Sequence, residues 1–142
     1  ARYDIEIEEY VHIIQIEGRS LGDIARNHVI PTAVKYQNIL IDNVKGLKDI
    51  YGKDFKQYAS EQLLLIAEIS KRIEAINSGV TKMINERKMA NSIDNTTKKA
   101  EIYCSKVKPL FDDIRYHCDK LELLIDDELW PLAKYRELLF TK

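Results

Sequence analysis

Residues Leu21 to Leu40 have the sequence LGDIARNHVIPTAVKYQNIL, and they decide how the first third of the chain folds. Apolar residues recur there at intervals of three and four, which is typical of one buried helix face. Pro31 interrupts the pattern, because proline lacks a backbone N–H and its ring crowds the preceding turn. We therefore expect one long helix over residues 3–51, kinked at Val29 to Pro31. Its expected buried stripe is Ile7, Tyr10, Ile14, Leu21, Ile24 and His28.

Two further long helices are predicted downstream, over residues 54–89 and 97–126. Asp54 and Gln57 resemble a capping box at the start of the second helix, and the polar segment Asn91 to Thr97 predicts a loop. The second helix has a heptad stripe made of Ile66, Ile69, Ile73, Ile76, Val80 and Met83. The stripe of the third helix is Ala100, Cys104, Val107, Phe111, Ile114, Cys118, Leu121 and Ile125. Pro109 is expected to bend the third helix and leave its stripe in phase.

A short fourth helix is predicted over residues 131–140, with Pro131 at its first position. Trp130 and Phe140 are expected to close one end of the molecule. No segment alternates in the manner of a strand. The sequence therefore predicts an all-α fold, an elongated antiparallel bundle of three long helices plus a short C-terminal one. A chain of 142 residues is the size of one domain, and we expect residues 1–142 to form a single helical domain.

The composition excludes several classes of partner. The net charge of −1 removes the electrostatic case for nucleic acid or an anionic membrane. The longest apolar run, Leu63 to Ala67, is far shorter than the ~20 residues of a membrane span. On one helix the two cysteines would lie roughly 21 Å apart, too far for a disulfide. We therefore expect a cytoplasmic protein, and the first residue, Ala1, indicates a processed chain, a tag remnant or a piece of a longer protein.

Few residues are candidates for chemistry. Asp113 and His117 lie four residues apart and could form half of a metal site, although a surface hydrogen bond or ion pair is the simpler interpretation. His28 is predicted to be a packing residue rather than a base, and Cys104 and Cys118 are predicted to be core thiols. The sequence has no phosphate-binding glycine loop and no zinc motif. We predict no catalytic residue, no metal site and no cofactor in this chain.

Arg19, Asp23, Arg26 and Asn27 form a polar helix face beside the predicted kink. This face is either a solvated surface or a docking surface for another domain. The heptad stripes also allow two interpretations, a core within the chain or an intermolecular coiled coil. Because three stripes in one chain can cover one another, we favour the internal core. A free-standing helical module that dimerises through its stripes is the alternative.

Four segments of the chain resemble the C-terminal region of type III glutamine synthetases, the large bacterial class of that enzyme. They are Leu21 to Leu40, quoted above, then IEIEEYVHIIQIEGRS (5–20), KVKPLFDDIRYHCDKLELLIDDELWPLAKYRELLF (106–140) and, less specifically, INSGVTKMINERKMAN (76–91). The likeness spans essentially the whole chain. It implies a non-catalytic helical domain at the end of a longer enzyme.

The resemblance also implies what the parent enzyme does. It would be a ligase of nitrogen metabolism that condenses glutamate and ammonia with ATP hydrolysis, using Mg or Mn held by glutamates. The motifs for those functions lie upstream, and none of them matches a residue here. The family assembles into large double-ring oligomers. The resemblance therefore implies that the partners of this domain are the catalytic domain of the same chain and neighbouring subunits.

Overall fold

The computed structural model describes residues 2–130 of the chain. Within that range the structure contains helices and turns and no strand, so the predicted all-α class is confirmed. Five α-helices are present: α1 (Arg2–Ile24), α2 (Ile30–Tyr51), α3 (Phe55–Asn91), α4 (Thr96–Ile102) and α5 (Lys108–Leu124). Two π-helical turns, Ala25–Val29 and Tyr103–Val107, and one 3-10 turn, Gly52–Asp54, connect consecutive helices.

The number of helices differs from the prediction. The described chain forms two continuous helical runs, 2–91 and 96–124, and not three separate long helices. The difference arises because residues 52–54 stay helical as a 3-10 turn instead of forming a loop. The predicted fourth helix, 131–140, and Phe140 lie outside the described residues. Trp130 is half-buried against the core.

The first run folds back on itself at Gly52, whose φ of 56° lies in the left-handed region that favours glycine. Two side-chain contacts show the antiparallel pairing of α2 and α3. Gln62 Nε2 donates to Asn43 Oδ1 at 3.0 Å, and Gln37 Nε2 donates to Ser70 Oγ at 2.6 Å. Later residues of α3 thus face earlier residues of α2.

The predicted capping box at Asp54 is wrong. The Asp54 side chain makes no capping hydrogen bond, and the 3-10 turn leads directly into α3, with the Phe55 N–H donating to the Gly52 carbonyl. The cap at the other connection is made by Asn95, whose Oδ1 accepts from the Lys98 N–H at 2.9 Å. That cap starts the second run at Thr96.

Each internal proline follows a π turn. The Ile30 N–H donates to the Ala25 carbonyl, and the Lys108 N–H donates to the Tyr103 carbonyl, five residues back in both cases. A proline ring clashes with the carbonyl four residues earlier, and that carbonyl lies inside the widened turn both times. The helix therefore continues through Pro31, as expected, but the distortion lies at residues 25–29.

The core is formed by one side of each run. Its members are Val11, Ile14, Ala25, Val29, Ala33, Ile69, Ile76, Val80, Met83, Ala90, Tyr103, Val107, Phe111, Ile114, Leu121 and Ile125. The stripe predicted for the second helix supplies four of these residues. The stripes therefore pack within the chain. No helix in residues 2–130 combines the length and the apolar character needed to cross a bilayer.

Candidate functional site

A shallow groove of about 270 Å³ lies between the first part of the chain and α3, and all four residues of the predicted docking surface line it. We call it the arginine groove. Its polar wall consists of Arg19, Asp23, Arg26 and Asn27, and the facing wall on α3 includes Met83 and Arg87.

Two glycines form the floor of the arginine groove. A Cβ atom on Gly18 would lie 3.3 Å from the Phe111 ring, and one on Gly22 would lie 3.5 Å from Met83 Cε. The absence of side chains at these positions lets α1 approach α3 and α5 closely. The floor of the groove is consequently apolar, whereas its rim is charged.

The Arg26 side chain is hydrogen-bonded within the bundle. Its Nη2 donates to the Asn77 carbonyl at 3.3 Å and to Thr81 Oγ1 at 2.5 Å, so it ties the π turn to α3. Asn27 Nδ2 donates to Asp23 Oδ1 at 2.6 Å on the same face. Much of the predicted polar face is therefore occupied by contacts within the chain.

Arg19 and Arg87, unlike Arg26, are not held by polar contacts within the described part of the bundle. In the part of the chain that the structure describes, neither guanidinium makes a hydrogen bond or an ion pair. Arg19 is exposed and Arg87 is half-buried, and both line the groove. A guanidinium offers a planar fork of donors that matches a carboxylate. The groove thus offers two guanidiniums without partners in the described residues to an acidic side chain.

The prediction that His28 packs on the apolar stripe is wrong. Its side chain is 53% exposed, and Nε2 lies 3.8 Å from Asp23 Oδ2. Val29 takes the buried position instead, with 1% exposure. The π turn adds one residue to the helix at this point, which moves the buried face from His28 to its neighbour.

His117 takes part in a half-buried polar cluster between α3 and α5. Arg72 Nη1 lies 3.0 Å from His117 Nδ1, and His117 Nε2 lies 3.7 Å from Asp113 Oδ1. Because arginine only donates, Nδ1 is the acceptor, and the ring proton belongs on Nε2, towards Asp113. Asp113 and His117 therefore make a polar contact, which is the simpler interpretation of their spacing.

Arg72 is the residue of this cluster that sequence reasoning missed. Its Nε and Nη2 both contact Glu68 Oε1, at 2.8 and 2.7 Å, and its guanidinium lies over the Tyr116 ring. Burial acts to lower the pKa of Arg72, but Glu68 and Tyr116 outweigh burial and raise it. Within residues 2–130, no group of three or more metal-ligating side chains is arranged to hold a metal ion.

The two cysteines occupy different environments, and the prediction that both are core thiols is wrong for Cys104. Cys104 is exposed, and Tyr103 occupies the buried position in its place. Cys118 is half-buried, and burial, helped by the charge of Asp119, raises the pKa of its thiol to about 11. A hydrogen bond with Cys104, together with burial, raises the pKa of Tyr10.

We expect Cys104 to react with a maleimide at least about tenfold faster than Cys118 at mildly alkaline pH, because only the thiolate attacks and Cys118 has both less thiolate and less access. Labelling kinetics followed by intact mass will measure the two phases. Cys104→Ser should remove the fast phase, and Cys118→Ser should remove the slow one. Equal rates in the two single variants would contradict the structure.

A second polar cluster, absent from the sequence predictions, joins the two runs near their ends. The Tyr103 hydroxyl donates to Asn91 Oδ1, and Gln15 Nε2 donates to both groups at 3.0 Å. Tyr103 is fully buried, so these contacts satisfy its hydroxyl. The only local signal for its burial is Pro109, whose π turn shifts the buried face upstream.

Comparison with known proteins gives the family. The family model described as the glutamine synthetase C-terminal domain matches residues 1–48, which include the polar wall of the arginine groove. A glutamine synthetase of Bacteroides fragilis is 46% identical over 142 residues, 99% of this chain. The chain belongs to the glutamine synthetase family, as its C-terminal domain.

More distant relatives carry related names. The type-3 glutamine synthetase of Dictyostelium discoideum is 25% identical over all of the chain, and a glutamine synthetase of Butyrivibrio fibrisolvens is 23% identical over 99% of it. The glutamine synthetase C-terminal domain described here spans about a fifth of the length of each of these proteins: 20% in all three. The resemblance drawn from the sequence is thus confirmed.

Proposed function

We propose that residues 1–142 form the non-catalytic C-terminal helical domain of a cytoplasmic type III glutamine synthetase. The parent enzyme would make glutamine from glutamate, ammonia and ATP, with Mg or Mn in a catalytic domain upstream. The observation that carries this proposal is the 46% identity over nearly the whole chain to a glutamine synthetase about five times as long. Activity, metal and nucleotide all belong to the larger part.

The domain would serve interdomain or intersubunit contact, with the arginine groove as the docking site. Arg19 and Arg87 support this role, because both flank the groove and neither has a carboxylate partner within the described residues. A complementary acidic side chain from the catalytic domain or a neighbouring subunit would pair with both guanidiniums. π turns recur at functional sites, and one of them carries Arg26 and Asn27 on the groove wall.

Arg19→Glu in the full-length enzyme tests the docking role. We expect a smaller native mass or a severalfold lower glutamine synthesis rate, because the substitution puts two acidic groups in contact. Arg26→Glu would be a poorer test, since Arg26 also holds α3. Native mass by light scattering and turnover of purified enzyme are the measurements.

Lys71→Glu is the matched control, because it makes the same charge change at an exposed α3 position outside the groove. Circular dichroism should show unchanged helicity in both variants. A variant Arg19→Glu enzyme with the wild-type mass and turnover would exclude docking through the groove. A native product near 16.5 kDa without glutamine synthetase activity would exclude the parent enzyme and favour a free-standing helical module.

A further inference from the structure

The outer face of α1 carries a stripe of isoleucines that the bundle leaves uncovered. Ile5, Ile13 and Ile16 are 56%, 55% and 50% exposed. The same helix packs Val11 and Ile14 into the core. The stripe, which we call the outer isoleucine stripe, is therefore additional to the face that folds the domain.

Helical geometry groups these three side chains. At about 100° per residue they fall within an arc of about 80°, on the side opposite Val11 and Ile14. A single exposed isoleucine is ordinary, but an aligned apolar stripe on a helix is typical of a surface that another element covers. The floor of the arginine groove begins at Gly18, on the opposite side of α1, and only its rim residue Arg19 lies within one turn of the stripe, next to Ile16.

Charge limits what can cover the stripe. Residues 3–17 include five acidic residues and no lysine or arginine, and Arg2 and Arg19 flank them on the same helix. Glu9 is exposed on the same arc as the stripe, between Ile5 and Ile13, and Glu17 is exposed at its edge. A second copy of the same face would bring like charges together, which costs free energy at close range. The complementary surface is apolar with a basic rim.

The length of the relatives indicates which part of the protein covers the outer isoleucine stripe. The domain accounts for 20% of their length, and in a glutamine synthetase of that organisation the remaining four-fifths is joined to the chain just before α1. We propose that the outer isoleucine stripe packs against this upstream part of the same polypeptide, through an apolar surface with basic residues at its edge. The inference rests on the proposed function, since it requires the catalytic portion in the same chain. It adds a fixed intrachain interface to the docking groove.

Cysteine labelling of the full-length enzyme tests this interface. Ile13→Cys and Ile16→Cys would be introduced singly, with Ser78→Cys as the exposed control on α3. Maleimide incorporation at each site is quantified by peptide mass spectrometry, both in the native assembly and in single chains separated by dilution and verified by light scattering. We expect both stripe positions to react at least about tenfold more slowly than Ser78→Cys in both states, because buried thiols are inaccessible.

The alternative results are distinct. Protection in the assembly alone would assign the stripe to a neighbouring subunit and overturn the intrachain interface. Labelling as fast as the control in both states would mean that nothing covers the stripe, which also overturns it. Either result leaves the proposed function standing if the preparation synthesises glutamine at the expected native mass. A preparation without that activity and mass would instead overturn the proposed function.

Discussion

Phe111→Ala is expected to lower the free energy of unfolding by about 3–5 kcal/mol, the usual cost of truncating a buried phenylalanine. The Phe111 side chain is 1% exposed, and its ring lies against Gly18 of α1. Since Gly18 has no side chain that could move into the space, the cavity would stay largely open. Urea denaturation of the chain, followed by circular dichroism, measures the loss.

Leu123→Ala is the matched control for this prediction, because it truncates another large apolar side chain of the same helix at an exposed position. Its effect should be below about 0.5 kcal/mol. If Phe111→Ala were no more destabilising than Leu123→Ala, the packing of the second run onto α1 described here would be wrong.

Gly79→Leu should destabilise the chain by about 3 kcal/mol, the upper end of the usual cost of overpacking a core, whereas Gly46→Leu should be neutral or slightly stabilising. A Cβ atom at Gly79 would lie 3.0 Å from Ile114 Cγ1, and Ile114 is fully buried and branched at Cβ, so it cannot yield. Gly46 is an exposed helical position with no atom within 4 Å of its Cβ site. At that position leucine gains helix propensity over glycine.

Comparing the two variants separates the effect of packing from that of helix propensity, because the same substitution is made in two α-helices of one chain. Urea denaturation midpoints and slopes of both variants give the two free energies. Destabilisation of equal size at both sites would mean that α3 and α5 do not approach closely at Gly79.

The α3 stripe could be predicted from the sequence because nothing interrupts the helix. Its 37 residues keep one phase, and Ile69, Ile76, Val80 and Met83 are all buried. Gly79 lies within that phase and marks the close approach to Ile114. Periodicity is reliable wherever the turn geometry is constant.

Most of the third stripe is buried as predicted, and it is wrong by one residue only at Cys104. The first stripe is wrong by one residue at His28, and the cause at both positions is the π turn before each proline. Periodicity assumes 3.6 residues per turn, whereas a π turn holds one residue more. Val29 therefore replaces His28 in the core, and Tyr103 replaces Cys104. The trace of this geometry in the sequence is a pair of consecutive four-residue spacings with a proline inside the second: Ala25, Val29 and Ala33 around Pro31, and Tyr103, Val107 and Phe111 around Pro109.

Only one wall of the arginine groove could be predicted from the sequence. Its polar wall is local in sequence, so Arg19, Asp23, Arg26 and Asn27 could be grouped from helical spacing alone. Arg87 and the Arg26 contact with Thr81 join residues more than fifty positions apart, and no local pattern encodes that pairing. The fold had to be known first.

The π turns also determine where chains of this family can change in length. A single-residue deletion inside α3 would turn everything beyond it by about 100° and carry Val80 or Met83 out of the core. The same deletion in residues 25–29 or 103–107 converts a wide turn to an ordinary one and leaves the flanking faces in place, although it brings the proline ring against the carbonyl four residues earlier. Alignments of relatives should therefore accept one-residue gaps at these two sites, within helices where gaps are normally refused.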